Sequence, residues 1–332
     1  MLDNKFVPQF NITLRCNMYD VCEYCYVKEQ KRNFPLDMAP QDFNNIIIWF
    51  KAIGVDEIIF LGGEPILHPK FSEFLKVIKN NTISARLFTN GTYNSATANL
   101  ISANKYVETL FFHYDENYLK RSAQSKESFF RNLKQASESN KRIWLRWNID
   151  KPDIDSSELI TLARQYSANI GYSISVPTPC SNMIPVSEVH KYSDNLMHLV
   201  ELASTNGIRL EPARAIPLCA FSEQQLKFLK KQGNLQGNCI AINDITINTD
   251  LSLQLCSVTH PISASRVTGV EDLKRKIEFL KKEEVKLRSV PVISECNKCK
   301  LFKDKECQGG CYAYKLYGDK QKKSQSENVS IK

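Results

Sequence analysis

Between residues 6 and 176 the chain passes six times from an extended apolar run into a helical or polar stretch, a rhythm that few folds accommodate. The extended runs fall at residues 6–14, 57–61, 85–88, 107–114, 142–149 and 170–176. Residues 40–53 place Phe43, Ile46, Ile47, Phe50 and Ile53 at helical spacing, with Gly54 as a C-terminal cap. Residues 71–78 and 128–137 also read as helices. Asp155 and Glu158 make a capping-box pattern ahead of another at 159–166. Strands alternating with helices predict an α/β fold whose parallel sheet is covered by helices. Periodicity alone allows both an open doubly wound sheet and a barrel.

The strand ends carry the chemistry. Cys16, Cys22 and Cys25 follow the first strand as C-x5-C-x2-C. Three thiolates on one short loop can hold three irons of a cubane and leave the fourth for a small molecule. A closed zinc site wants four protein ligands; no fourth cysteine lies nearby, and the nearest histidine is His68. The second strand runs into Gly62-Gly63-Glu64-Pro65, and the third ends in Thr89-Asn90-Gly91. Two-residue alternation puts Phe111, His113 and Asp115 on one face of the fourth strand, and Trp144, Arg146 and Asn148 on one face of the fifth. His113 reads equally as a hydrogen-bonded core histidine. A merely solvated Arg146–Asn148 pair is at odds with a parallel strand covered on both sides.

The stretch Phe60-Leu-Gly-Gly-Glu-Pro-Ile-Leu-His-Pro69 closely resembles a motif of the radical S-adenosylmethionine (SAM) enzymes. That resemblance implies a partial (β/α)6 barrel over residues 1–185, with function at the C-terminal strand ends. It implies a [4Fe-4S] cluster on Cys16, Cys22 and Cys25, although the family's usual loop, C-x3-C-x2-C, is two residues shorter. SAM would be held by Gly62, Gly63, Glu64 and Pro65 at its amino group and by Tyr24 at the adenine, with Asn90, Arg146 and Asn148 as further cofactor contacts. His113 and Asp115 stand where the family often has Ser-x-Asp. With Cys180 they are the candidate catalytic side chains; Cys180 is either a buried thiol or a substrate-facing hydrogen donor.

Beyond a connecting region at 186–210, which includes a helix at 187–203, the chain turns cysteine-rich: Cys219, Cys239, Cys256, Cys296, Cys299, Cys307 and Cys311. Residues 209–216 are extended, Ser222 and Gln225 cap a helix, and 245–248 with 251–255 suggest a hairpin around Asp250. Spacing alone permits a zinc ribbon on Cys296, Cys299, Cys307 and Cys311, but seven cysteines exceed what one zinc needs. Residues 211–316 resemble the SPASM/Twitch extension of radical SAM enzymes, most specifically at Cys307-Gln-Gly-Gly-Cys311. This implies one or two auxiliary [4Fe-4S] clusters. By order, one would use Cys219, Cys239, Cys256 and Cys311, and the other Cys296, Cys299 and Cys307. Two features depart from the pattern: Leu251 replaces a usual glycine, and no cysteine follows Cys311. Residues 317–332 read as a polar tail.

Eleven cysteines, with no secretory-type N-terminus and no membrane-length apolar run, point to a cytoplasmic protein using metal or redox chemistry rather than disulfides. The net charge of +8 is scattered, which argues against a nucleic-acid partner. The charged stretch from Glu271 to Arg288 reads as a solvated helix with its charges set against its dipole. The resemblance implies reductive cleavage of SAM to a 5′-deoxyadenosyl radical that takes hydrogen from a substrate, with a flavodoxin or ferredoxin-type electron donor. SPASM/Twitch relatives commonly modify ribosomally made peptides or protein side chains. Small-molecule oxidation or rearrangement is the alternative, and a non-catalytic electron carrier or peptide binder is a further one. A first strand near Phe6 leaves no room ahead of it for a peptide-recognition domain. Ser257 stands where sulfatase-maturating relatives carry an aspartate, which weighs against that substrate.

Overall fold

The computed structural model describes residues 6–153, 155–178, 184–239 and 241–318, apart from the side chains of 117 and 121. In its first half, β1 (Gln9–Thr13) leads to α1 (Val27–Asn33), α2 (Pro40–Ala52), β2 (Glu57–Gly62), α3 (Phe71–Asn81) and β3 (Ser84–Thr89). Then come α4 (Ser95–Ala103), β4 (Val107–Tyr114), α5 (Glu116–Arg121), α6 (Ala123–Glu138), β5 (Arg142–Ile149), α7 (Ser157–Gln165) and β6 (Asn169–Ile174). The remainder is α8 (Ser193–Thr205), β7 (Leu210–Pro212), α9 (Glu223–Lys231), β8 (Thr246–Ile247), β9 (Leu253–Gln254), β10 (Ser263–Ala264), α10 (Val270–Arg288), α11 (Lys300–Lys303) and α12 (Tyr312–Tyr317).

All ten strands join one sheet in the order β10-β9-β8-β1-β2-β3-β4-β5-β6-β7. From β8 to β7 every neighbour is parallel, and β8, β9 and β10 are antiparallel. The fold is α/β, a parallel barrel-type sheet with a cysteine-rich C-terminal region. That region does not build a sheet of its own: β7 extends the β6 edge, and β8 to β10 extend the β1 edge.

The outer face of the sheet is apolar. Phe10 meets Phe43 and Phe50 of α2 edge-on at 5.3 and 5.7 Å, and Phe43 packs 4.7 Å from Phe74 of α3. The inner face is polar and must be paired internally. At the β1 edge, Asn11 Nδ2 donates to Gln30 Oε1 and Asn248 Oδ1 at 3.2 Å, and Gln30 Nε2 donates to Gln254 Oε1 at 3.2 Å. This buried amide chain ties the barrel to the C-terminal hairpin.

Several local expectations meet the structure differently. The capping box at Asp155 and Glu158 does not form: Asp155 Oδ1 accepts from Ser157 N at 2.9 Å, while Glu158 Oε2 accepts from the Tyr114 hydroxyl at 3.0 Å. Glu158 is drawn to a strand partner instead of its own helix end. The helix expected at 187–203 begins as a 3₁₀ stretch, Val186–Tyr192, before α8. Ser222 and Gln225 do form a reciprocal capping box on α9. Of the tail expected at 317–332, Tyr317 instead ends α12 as a buried side chain, and the residues from 319 onward, like Cys180, lie outside the described residues.

Candidate active site and cysteine sites

The two glycines after β2 set the geometry of the site. A Cβ on Gly62, whose φ is +135°, would lie 2.2 Å from Thr13 O, and one on Gly63 would lie 2.2 Å from Arg15 O. Only glycine lets this turn press against the start of the cysteine loop. The close approach is fixed by Gly63 N donating to Thr13 O at 2.9 Å and Glu64 N donating to Arg15 O at 2.6 Å. Glu64 is 1% exposed. Its Oε2 accepts from Asn90 N at 2.6 Å, whereas its buried Oε1 has no hydrogen-bond partner among the described residues. Burial, outweighing the Asn90 bond, pushes this carboxyl up to about 7. A buried carboxylate oxygen without a donor is costly unless a ligand supplies one. The turn therefore fits a small molecule bearing an N–H group.

The cysteine loop is anchored at its base. Arg15 forks onto Asp37 at 2.7 to 3.0 Å, and Thr13 Oγ1 donates to the same carboxylate at 2.7 Å. The extra residues are absorbed in a tight turn, with Val21 N and Cys22 N both donating to Met18 O at 3.1 and 3.2 Å. Burial pushes the Cys16 and Cys22 thiols up to about 12, and moves Cys25 in the same direction. Iron binding here would have to displace those protons, as metal–thiolate binding generally does.

Cys16, Cys22, Cys25, Tyr24, Glu64 and Asn90 line a cavity of about 310 Å³, which Gly62, Gly63, Pro65, His113, Arg146 and Asn148 also reach. Arg146 fits the lumen because its neighbour across β5 and β6 is Gly171, where a Cβ would lie 2.3 Å from Nη1. Its guanidinium carbon sits 5.6 Å from the ring centres of Phe88 and Phe111. Burial, helped by the charge of Arg214, pushes it down to about 10. Asn148 Oδ1 accepts from the Ser173 hydroxyl.

Tyr24 turns its hydroxyl toward β4, 2.7 Å from His113 Nε2 and 3.2 Å from Asp115 Oδ2. Burial pushes the His113 imidazole down. Asp115 caps α5 by accepting from Tyr118 N at 3.1 Å, and it is not among the residues lining the cavity. Its carboxylate braces the Tyr24 hydroxyl from outside the cavity lining. Cys22, His113 and Asp115 also bring ligand atoms within 4.8 Å of one another, the one such trio among the described residues.

The seven C-terminal cysteines do not divide as their order suggested. Cys239, Cys256 and Cys311 line the same cavity as the N-terminal triad. Cys219 lines a second cavity, of about 190 Å³, with Cys296, Cys299 and Cys307. The expected four-ligand set of Cys219, Cys239, Cys256 and Cys311 is therefore split. So is a zinc ribbon on Cys296, Cys299, Cys307 and Cys311. Gly309 and Gly310 explain the split: with φ of +83° and +80°, they reverse the chain between Cys307 and Cys311, sending the two thiols to different cavities.

Sequence reading passed over two residues between the cysteine groups. Tyr26 is pushed up by burial and then by Cys25, with Arg214 and Cys256 also nearby, and burial of Arg214, which lowers it, is outweighed by its neighbours Cys311 and Cys256. The only signal for Arg214 was a lone cation in an otherwise apolar extended run, Ala213 to Leu218.

Residues 10–149 match the Radical SAM superfamily model. Over 90 residues, 27% of this chain, the sequence is 29% identical to the Fe-coproporphyrin III synthase of Methanosarcina barkeri; the chain matches about a fifth (22%) of that relative's length. Among solved structures, Streptococcus suis SuiB bound to S-adenosylmethionine is similar at a TM-score of 0.67 and 14% identity, covering 94% of this chain and 74% of SuiB. AnSMEcpe with bound AdoMet is similar at 0.64 and 17% identity, covering 92% and 89%. At these identities the likeness is one of fold.

Proposed function

This chain belongs to the radical SAM superfamily through residues 10–149, and from that premise we propose that it modifies a ribosomally made peptide or a protein side chain by SAM-derived radical chemistry. When bound, a reduced [4Fe-4S] cluster and SAM supply a 5′-deoxyadenosyl radical that removes hydrogen from an unactivated carbon. The observation that carries the reading is one cavity lined by the N-terminal cysteine triad, by Glu64 with its unpartnered oxygen, and by three further cysteines.

In this reading Cys16, Cys22 and Cys25 hold three irons, and Glu64 Oε1 accepts from the SAM amino group. The Gly62–Gly63 turn sets the distance between them. Arg146 and Asn148 offer a cation and an amide to the polar parts of SAM from the opposite wall. Tyr24, braced by His113, covers the adenine side. Cys239, Cys256 and Cys311, in the segment 211–316 that resembles SPASM/Twitch extensions, hold an auxiliary cluster. Three thiolates would leave such a cluster short of a fourth protein ligand, and when bound it would supply a site for ligation or electron transfer. Arg214 and Tyr26 line the cavity between the two cysteine groups and would offer a cation and a hydroxyl to the substrate. A peptide substrate is supported by the fold shared with SuiB, which has also been solved bound to its precursor peptide SuiA.

The test has two stages. Reduced, reconstituted protein should convert SAM to 5′-deoxyadenosine, and Cys16→Ala/Cys22→Ala/Cys25→Ala should abolish this and remove about four Fe. Candidate precursor peptides from the gene's neighbourhood should then show a mass change only with SAM and reductant present. Undiminished 5′-deoxyadenosine from the triple variant would reject the cofactor site. Turnover of small molecules but of no peptide would reject the substrate class.

A further inference from the structure

We propose that Cys219 is the fourth ligand of a closed iron–sulfur site made with Cys296, Cys299 and Cys307, apart from the reaction cavity. The four share the cavity of about 190 Å³. None of them lines the cavity that holds SAM in the reading above, and Cys239, Cys256 and Cys311 line only that one. This assignment does not rest on the proposed SAM chemistry.

Cys219 reaches the site through packing that the sequence dictates. It lies in a short 3₁₀ turn, Leu218–Ala220, closed by Ala220 N donating to Pro217 O at 3.0 Å. Pro217 rests on the turn between Cys307 and Cys311: a Cβ on Gly310 would come within 2.6 Å of Pro217 Cδ. On its other side Leu218 rests on Gly237, where a Cβ would lie 2.8 Å from Leu218 Cγ. Gly237 O in turn accepts from Gln308 N at 3.2 Å. Two glycines therefore admit a proline and a leucine, and the residue following them is carried to Cys307.

The chemistry favours a cluster over a single zinc. Tetrahedral zinc at about 2.3 Å from each sulfur requires sulfurs about 3.8 Å apart. Among the described residues, no three of the seven C-terminal sulfurs lie within 4.8 Å of one another. A cubane holds its thiolates farther apart than one ion does. The rest of the lining is mainly apolar, including Val292, Leu301 and Phe302, while Cys219 closes the exposed side of the cavity. A cation is also in place: Lys315, whose ammonium donates to the carbonyls of Leu287 and Arg288, feels Cys296, Cys307 and Cys239. Thiolate clusters carry net negative charge, and a half-buried cation beside them offsets it, even with its ammonium pushed down to about 8 by burial.

The experiment uses full-length chain with Cys16, Cys22 and Cys25 changed to alanine, reconstituted anaerobically, so that only C-terminal iron is read. This background should hold about eight Fe. Adding Cys239→Ala/Cys256→Ala should leave about four Fe, and a further Cys219→Ala should then remove or spectroscopically alter the remaining cluster. Adding Cys219→Ala to Cys296→Ala/Cys299→Ala should change neither the iron count nor the electron paramagnetic resonance of the remaining cluster. In the Cys239→Ala/Cys256→Ala background, Cys219→Ser, which keeps an oxygen ligand, should shift the resonance of the remaining Cys296 cluster with iron retained, separating ligation from a folding defect. The reverse pattern, with Cys219 affecting only the Cys239 cluster, would overturn the assignment. So would one zinc per chain that is lost on changing Cys219 and never replaced by iron.

Discussion

Replacing Glu64 by glutamine should have opposite effects on stability and on ligand binding. The carboxyl is buried, with one oxygen bonded to Asn90 N and the other unpartnered. Its pKa rises from 4.5 to about 7 on folding, so the folded state binds the proton more tightly than the unfolded state. Its contribution to stability is therefore greatest below pH 4.5 and is lost as pH rises through about 7. The loss amounts to about 3 kcal/mol at pH 8, since each pH unit between the unfolded and folded values is worth about 1.4 kcal/mol. Glutamine keeps an oxygen for Asn90 N and cannot ionise. In cluster-free, SAM-free protein, Glu64→Gln should raise stability by roughly 3 kcal/mol at pH 8 but by only about 1 kcal/mol at pH 5.5. With SAM the sign reverses, because the variant loses a charge-assisted hydrogen bond worth roughly 1.5–3 kcal/mol, or about ten- to a hundredfold in affinity. Urea melts at the two pH values, and anaerobic calorimetry of SAM binding to reconstituted protein, read the two effects separately. Stability gains equal at both pH values would refute the buried-carboxylate argument, and unchanged SAM affinity would refute the ligand role.

Leu251 holds a φ of +66° at a position where the resemblance implied glycine, yet its side chain is 1% exposed. Left-handed backbone costs about 1–2 kcal/mol, while truncating a buried leucine costs about 2–5 kcal/mol. Leu251→Gly should therefore lower stability on balance, by roughly 1–3 kcal/mol in denaturant melts; a gain would show that strain dominates there. Lys315→Met removes a half-buried positive charge beside the C-terminal cysteines and should shift at least one auxiliary-cluster midpoint to more negative potential in spectroelectrochemistry. Identical potentials would place the ammonium out of reach of both clusters. A fragment ending at residue 185 should fail to unfold cooperatively and should bind a hydrophobic dye, because it loses the strands covering both sheet edges and the partners of Asn11 and Gln30. A sharp, dye-free transition for that fragment would restore the barrel as an independent domain.

The sequence carried the parallel core well because its signals are local. Strands at 107–114 and 142–149 were bounded by their own alternation, and the structure places Val107–Tyr114 and Arg142–Ile149 there. What failed either lacked a clear local signal or depended on contacts distant in sequence. α1 has its start in the cysteine loop, without a side-chain cap to announce it. α4 does carry a cap, Asn94 accepting from Thr97 N, but its short, weakly patterned run from Ser95 to Ala103 left no clear stripe to follow. Glu158 looked like a helix cap and became a strand partner of Tyr114. Asp115 shares its face with His113 by alternation, but the strand ends at Tyr114 and the next residue turns away to cap a helix.

The cysteine grouping shows the same limit in its most consequential form. Linear order joined Cys219 to Cys239, whereas the fold separates them, and the cause is topological. The chain leaves the sheet beyond β7 at one edge and rejoins it through β8 at the other. Cys219 falls at the start of that crossing and Cys239 near its end, so they are left beside different neighbours. The hairpin at the β1 edge then brings Cys256 to the cavity that the N-terminal triad lines, because β8 pairs with the very strand that leads into the cysteine loop. The turn at Gly309 and Gly310 sends Cys311 after it while leaving Cys307 behind. Three cysteines lining the larger cavity and four lining the smaller one are consequences of where one sheet begins and ends. The reach of the C-terminal region into the reaction space is thus set by strand pairing at β1, and a change that loosens the Asn11–Gln30–Gln254 seam acts on the cavity without touching any cysteine.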